Sequence, residues 1–198
     1  MLKSAQEGAK SVGAQTEYVD LYDLCFTGCR SCLACKRKGA ERCHCYWKDD
    51  LSPIIDRIFP SDTLLIGSAV YLGDTTSQFH AVLERLHFCT LSYDDYHNYF
   101  TGKVHVGIIW TMNANLEMYK QYYEKKLSEQ VNMLRSLNGE VRVLPCCDTL
   151  QVKDYSRYNM SSFDESLKKA HHDQQFPAEL ALAYQMGAAL CATSHSIT

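Results

Sequence analysis

The sequence predicts an α/β protein, a parallel β-sheet covered by helices on both faces, forming a single domain over residues 1–198. Three observations carry this. TLLIGSAVY (63–71) and VHVGIIW (104–110) are nearly continuous apolar runs, as strands buried on both faces require. Stretches with apolar residues at helical spacing alternate with them, which makes βαβ units. A chain of 198 residues, 46% hydrophobic and 22% charged, has the length and composition of one substantial core.

The elements follow in order. Leu2, Ala5, Ala9 and Val12 mark one helical face, and TEYVDLY (16–22) has the make-up of a short strand. An irregular cysteine-rich loop, residues 25–45, comes next. Asp49 and Asp50 stand where carboxylates favour a helix N-terminus, with Ile54, Ile55, Ile58 and Phe59 as its buried stripe. After the strand at 63–71, Phe79, Val82, Leu83 and Leu86 form the apolar face of another helix. The strand at 104–110 leads into a long amphipathic helix, about 115–138, that stops at Asn138-Gly139. EVRVLP (140–145) is the last strand. Pro177 is expected to open a final helix that runs to about Leu190, since proline suits a first helical position.

Charge and hydropathy exclude several functions. A formal net charge of -3 gives no electrostatic basis for binding nucleic acid or an anionic membrane. No apolar run approaches the ~20 residues of a membrane span. MLKSAQEGAKSVGAQ lacks the apolar core of a signal peptide, so a cytoplasmic location with reduced thiols is expected.

In a parallel sheet of this kind, ligands bind beyond the carboxyl ends of the strands. Three loops are expected there: the cysteine loop, GSAVYLGDTTSQF after the strand at 63–71, and TMNAN after the strand at 104–110. Gly67 and Gly73 bracket a turn in which backbone N–H groups and the Tyr71 ring can approach a flat ligand. Asp74, Thr75, Thr76 and Ser77 can cap the helix that follows.

The motifs GCRSCLACKRKG, CYWKDDLSPIIDRI, LLIGSAVYLGDTTSQFHAVLERL, IIWTMN and DTLQVKDYSRY resemble those of the flavodoxin-like NAD(P)H-dependent FMN reductases, especially the iron–sulfur flavoprotein branch. The resemblance covers nearly the whole chain. It implies a flavodoxin-like three-layer fold and an oxidoreductase in which FMN takes a hydride from NAD(P)H and passes electrons to a small-molecule or protein acceptor. No side chain need act as acid or base. It assigns Ser68, Ala69, Val70, Tyr71, Leu72 and Gly73 to the loop that packs on the flavin, with Ala69 where the family has proline. Thr111, Met112 and Asn113 correspond to a second loop that borders the flavin. A homo-oligomer is expected, and the Tyr93–Tyr99 stretch corresponds to a region that forms dimer interfaces or covers the flavin. The family's first strand and its phosphate-cradling GSPRxxGNT loop have no counterpart ahead of Met1. The expected sheet therefore lacks its central strand, and FMN affinity is expected to be weakened.

The cysteines raise a separate question. Cys29, Cys32 and Cys35 recur at x2 spacing, which can wrap a corner of a [4Fe–4S] cluster if a more distant thiolate closes it. The resemblance selects Cys45, by its distance to Asp49-Asp50, with Cys43 as the alternative. Zinc on four thiolates and unmetallated thiols remain open. Cys25, Cys89 and Cys191 are expected to be packing residues, and one at least of Cys146 and Cys147 is expected in the core. Lys36, Arg37 and Lys38 are expected on a solvated loop face, although they could attract a nicotinamide cofactor's phosphates. His171 and His172 are expected to be solvated.

Overall fold

The computed structural model describes residues 1–194, so residues 195–198 of the expected domain lie outside the described residues. The sheet holds β1 (Thr63–Tyr71), β2 (Asp74–Thr75), β3 (Val104–Thr111) and β4 (Asn138–Cys146), in the order β2-β1-β3-β4. β1, β3 and β4 run parallel, and β2 is a two-residue antiparallel return from the end of β1. β3, central and continuously apolar, is buried from Val104 to Trp110.

Side-chain alternation along β3 divides the interior into two cores. Val106, Ile108 and Trp110 join Ile55, Phe79, Leu83, Leu86, Leu127 and Leu134 on one face. That layer is built by α2 (Ser52–Ile58), α3 (Ser77–Thr90) and α5 (Glu124–Leu134). Ile109 points to the other face, against Ala5, Ala183, Met186 and Leu190 of α1 (Leu2–Ser11) and α6 (Glu165–Ser194). The three-layer α/β expectation holds, and β1, β3 and β4 span the residues expected of them to within two positions.

The helix expected at about 115–138 is segmented: α4 (Leu116–Met118), a π-helical stretch Tyr119–Tyr123, α5, and a 3-10 turn Arg135–Leu137. Asn138 ends it in the left-handed conformation, φ 61°.

Two expectations are overturned. Residues 16–22 form no strand: Leu21–Asp23 is a 3-10 turn, where Asp20 Oδ1 accepts from the Tyr22 N–H at 3.0 Å. A strand needs a neighbour to take its N–H and C=O groups. Among the described residues none lies beside this segment, and β1 is likewise paired on one side only between Thr63 and Ala69. Nor does Pro177 open the last helix; it lies inside α6, which begins at Glu165. Asp164 caps that start by accepting from the Leu167 N–H at 3.0 Å. Pro177 sits on an exposed face, where its missing N–H costs one bond.

Candidate functional site

The loops after β1 and β3 meet because their strands are adjacent and in register, with Ala69 opposite Thr111. In the first loop the Ser68 hydroxyl is committed internally. It accepts from the Thr76 N–H at 3.0 Å and donates to the Ala69 carbonyl at 2.7 Å. Thr76 in turn caps α3 by accepting from the Phe79 N–H. The turn is thus tied down from within, and what it presents outward is apolar. Leu72 is fully exposed at φ 51°, a left-handed conformation unusual for a branched side chain, and Tyr71 is 60% exposed. Gly73 follows at φ 75°, and a Cβ there would lie 2.8 Å from the Tyr123 ring. The π-helical stretch Tyr119–Tyr123 brings that ring against the turn.

In the second loop, Met112 is buried and both its backbone groups are bonded, the N–H to Cys146 and the carbonyl to the Thr149 N–H. Asn113 Nδ2 donates to Gln151 at 3.1 Å, whereas its Oδ1 is buried without a partner. A buried acceptor left open costs stability unless a donor arrives. Thr111 lines a cavity of about 280 Å³ together with Cys147, His171, His172, Phe176 and Glu179. The two histidines are half-buried rather than solvated: His171 lies 3.5 Å from Asp148, and His172 stacks on Phe176.

These features fit a flavin ring. An exposed aromatic and an exposed leucine offer a flat apolar contact, and Asn113 Oδ1 offers an acceptor for a ring N–H. Met1 is the N-cap of α1 and makes no side-chain cap.

A second groove, open and about 530 Å³, joins Gly28 of the cysteine loop to Asp74, Thr75, Ser77, His80 and Glu84. Asp74 is its electrostatic centre. Its carboxylate meets His80 Nε2 and Gln130 Nε2 at 2.8 Å each and Lys126 Nζ at 2.6 Å. Partial burial works to raise its pKa, but the bonds from Lys126, His80 and the Thr75 N–H prevail and bring it to about 2.

The cysteine loop is fastened to α3 by two cations. Arg85, 1% exposed, donates through Nη1 to Asp49 Oδ2 at 2.5 Å and the Thr27 carbonyl at 3.2 Å. Its Nη2 reaches Ser52 Oγ at 2.5 Å and Cys45 Sγ at 3.1 Å. Lys36 donates to the carbonyls of Phe88 and Leu91 at the end of α3 and lies over the Phe88 ring. Lys36 is therefore a clamp, not part of a solvated face, because the α3 carbonyls need a cation there; Arg37 and Lys38 are exposed as expected.

Of the four thiols proposed as ligands, Cys29 lies within electrostatic reach of Cys32, Cys35 and Cys45. Cys32 is exposed, Cys29 and Cys45 are half-buried, and Cys35 is buried. Among the described residues no three His, Cys, Asp or Glu side chains are arranged to hold a metal ion. The Cys89 thiol of α3, against the opposing effect of burial, lowers Cys35 to about 6. Cys45 falls to about 5, helped by the Trp47 N–H and Arg85, while Cys89 is pushed up. Burial raises Cys29 and Cys43.

Cys89 is buried in the core, as expected. Cys25 is exposed, not core, because its N–H is drawn outward to Asp50 Oδ2 at 2.7 Å. Cys146 and Cys147 are both buried, and burial lifts their pKa values to about 12 and about 11. Arg85, Tyr123 and Gln130 escaped the sequence because each occupies an ordinary helical position. The one available signal was the charge of Arg85 within an apolar stripe.

Comparison with known proteins agrees with this arrangement. An iron–sulfur flavoprotein of Methanocaldococcus jannaschii is 27% identical over 85 residues, 43% of this chain and 42% of that protein. An iron–sulfur flavoprotein of Archaeoglobus fulgidus is 26% identical over 85 residues, 43% of this chain and 40% of that one. The matches thus span about two-fifths of the length of these curated relatives. Among solved structures, the NAD(P)H:quinone oxidoreductase from Methanothermobacter marburgensis superposes with a TM-score of 0.58 at 14% identity. It covers 96% of this chain and 87% of its own, a likeness of fold. The NADPH-dependent FMN reductase family matches residues 1–134, more than half of the sequence, and the chain belongs to that family.

Proposed function

We propose that the protein is an FMN-dependent NAD(P)H oxidoreductase, a single flavodoxin-like domain whose electron acceptor is a small molecule or a protein. The observation that carries this is the turn Ser68–Gly73, braced from within by Ser68 and Thr76 and presenting Tyr71 and Leu72 outward beside the unpartnered Asn113 Oδ1. Ser68, Ala69, Val70, Tyr71, Leu72 and Gly73 would flank the flavin ring, with Thr111 and Asn113 at its edge and Met112 holding that loop in the core. When bound, FMN supplies acceptance of a hydride from NAD(P)H and its delivery as electrons. The protein's own part is to bind the ring, exclude water from its face and set the local field.

A [4Fe–4S] cluster on Cys29, Cys32, Cys35 and Cys45 is the finer reading. The x2 spacing and the names of the two archaeal relatives support it. The electrostatic effect of Cys32, Cys35 and Cys45 on Cys29 supports their sharing one region of the loop. Free thiols on all ten cysteines accord with a reducing cytoplasm. Among the described residues no helix is long and apolar enough to cross a membrane. Exposed Tyr93 and Tyr96 suit a contact between two copies.

Flavin fluorescence tests the reading. Wild-type chain should quench FMN emission, and Leu72→Asp, which alters a fully exposed side chain, should weaken binding about tenfold or more at unchanged Tm. Equal binding by the two proteins would remove the flavin from this turn.

A further inference from the structure

The cavity of about 280 Å³ that Thr111 borders has three walls: the end of β3, the loop after β4 with Thr149, and the side of α6 that carries His171, His172, Phe176 and Glu179. The walls are tied to one another. The Thr149 N–H donates to the Met112 carbonyl at 2.9 Å and the Asp148 N–H to the Ala114 carbonyl at 2.7 Å, which joins the two loops. Lys168, 8% exposed, donates to the Asn113 carbonyl at 2.8 Å and to the Asp148 carboxylate, which joins α6 to both loops. The space is therefore built before any ligand arrives, and its volume lies near the lower end of the ~300–1,000 Å³ of ligand pockets.

The lining is polar and uncommitted. Among the described residues, the side chains of Thr111, Thr149, His172 and Glu179 make no hydrogen bond to another residue. A carboxylate beside two imidazoles suits neither an anion nor a cation. A hydroxyl can donate to the carboxylate and accept from an imidazole N–H, so a neutral polyol is the ligand that satisfies both. Phe176 and Leu150 offer apolar contact to its carbon chain. Thr111, in turn, stands at the edge of the ring site as well as in the cavity wall.

We propose that this cavity receives the ribityl chain of the flavin, the polyhydroxylated chain borne by the central ring. The inference rests on the ring-binding reading above and extends it. The chain passes Thr111 and runs between the loop after β4 and α6, so that Thr149, His171, His172 and Glu179, none of them part of the ring contact, join the binding site.

Lumiflavin carries the same ring with a methyl group in place of the chain, so its comparison with riboflavin isolates the chain. Fluorescence titration of the full chain should show riboflavin binding about tenfold or more tighter than lumiflavin. Thr149→Val and Glu179→Leu each remove polar atoms from the cavity wall. Each should weaken riboflavin binding about fivefold, the size of one lost hydrogen bond, and leave lumiflavin binding unchanged, which also reports an intact fold. Leu72→Asp should weaken both flavins alike. Equal affinity of the wild type for the two flavins, or a loss in the cavity variants that is the same for both, would overturn the cavity assignment and leave the ring reading standing. Binding of neither flavin would remove the ring reading and this inference with it.

Discussion

Replacing Arg85 by methionine should destabilise the protein more than any surface change. The guanidinium is nearly inaccessible and holds four acceptors from separate segments: Asp49, Ser52, the Thr27 carbonyl and Cys45. Burial works to lower its pKa, but the bonds from Asp49 and Cys45 prevail and raise it, so the group stays a cation with both terminal nitrogens bonded and only Nε left without a partner. Methionine has similar length and fills the space, so the loss is electrostatic. Asp49, whose side chain is 10% exposed, keeps the Leu51 and Ser52 N–H groups but loses its cation. Breaking a buried ion pair from one side costs about 3–5 kcal/mol, which for a chain of this length lowers Tm by roughly 6–20 °C. By contrast, Arg142→Met removes the exposed pair with Glu140 and should cost under about 1 kcal/mol. Urea unfolding measures both. Adding Asp49→Asn to Arg85→Met should recover part of the loss, since no uncompensated charge remains. A penalty for Arg85→Met no larger than that for Arg142→Met would refute the claim that Arg85 anchors the loop.

Other outcomes follow from the same geometry. Asp74 has its folded pKa at about 2, below the ordinary value of 3.8, so its contribution is present above pH 4 and lost as pH falls through 2. The loss is at most about 2 kcal/mol. Asp74→Asn should flatten that acid limb of the stability curve, read by unfolding between pH 5 and pH 2. Iodoacetamide at pH 7 should alkylate Cys45, lowered to about 5, well before Cys43, which burial raises. The two share one tryptic peptide, whose fragmentation spectrum compares them. Gly8→Ala should destabilise α1 against α6, because the new Cβ would lie 1.9 Å from the Tyr184 carbonyl oxygen, a backbone atom with little room to move. Overpacking costs about 1–3 kcal/mol and outweighs the roughly 1 kcal/mol that alanine gains in helix propensity. A melting temperature that rises in Gly8→Ala would reverse that order.

What could be foreseen from the sequence depended on whether the signal was local. β1 and β3 were legible because both faces of each strand are covered and an uninterrupted apolar run has no other use. The turn after β1 was legible through Gly73, whose φ of 75° suits glycine. Residues 16–22 carry strand-like residues yet form none, because strandness there depends on a neighbour that the segment itself does not encode. Pro177 misled because proline is tolerated within a helix when its ring faces outward. The docking of the cysteine loop on α3 was not legible, because Arg85 reaches Thr27, Asp49 and Ser52 while Lys36 reaches Phe88 and Leu91, and spacing within the loop carries no trace of those contacts.

Calorimetric titration of the chain with riboflavin and with FMN tests the central claim most directly. The proposed site holds the flavin ring through Tyr71, Leu72 and Asn113, which both ligands share. The account therefore predicts measurable binding of both ligands, with Leu72→Asp weakening each about tenfold or more. No binding of either ligand, or binding of both that Leu72→Asp leaves unchanged, would contradict the ring-anchored site.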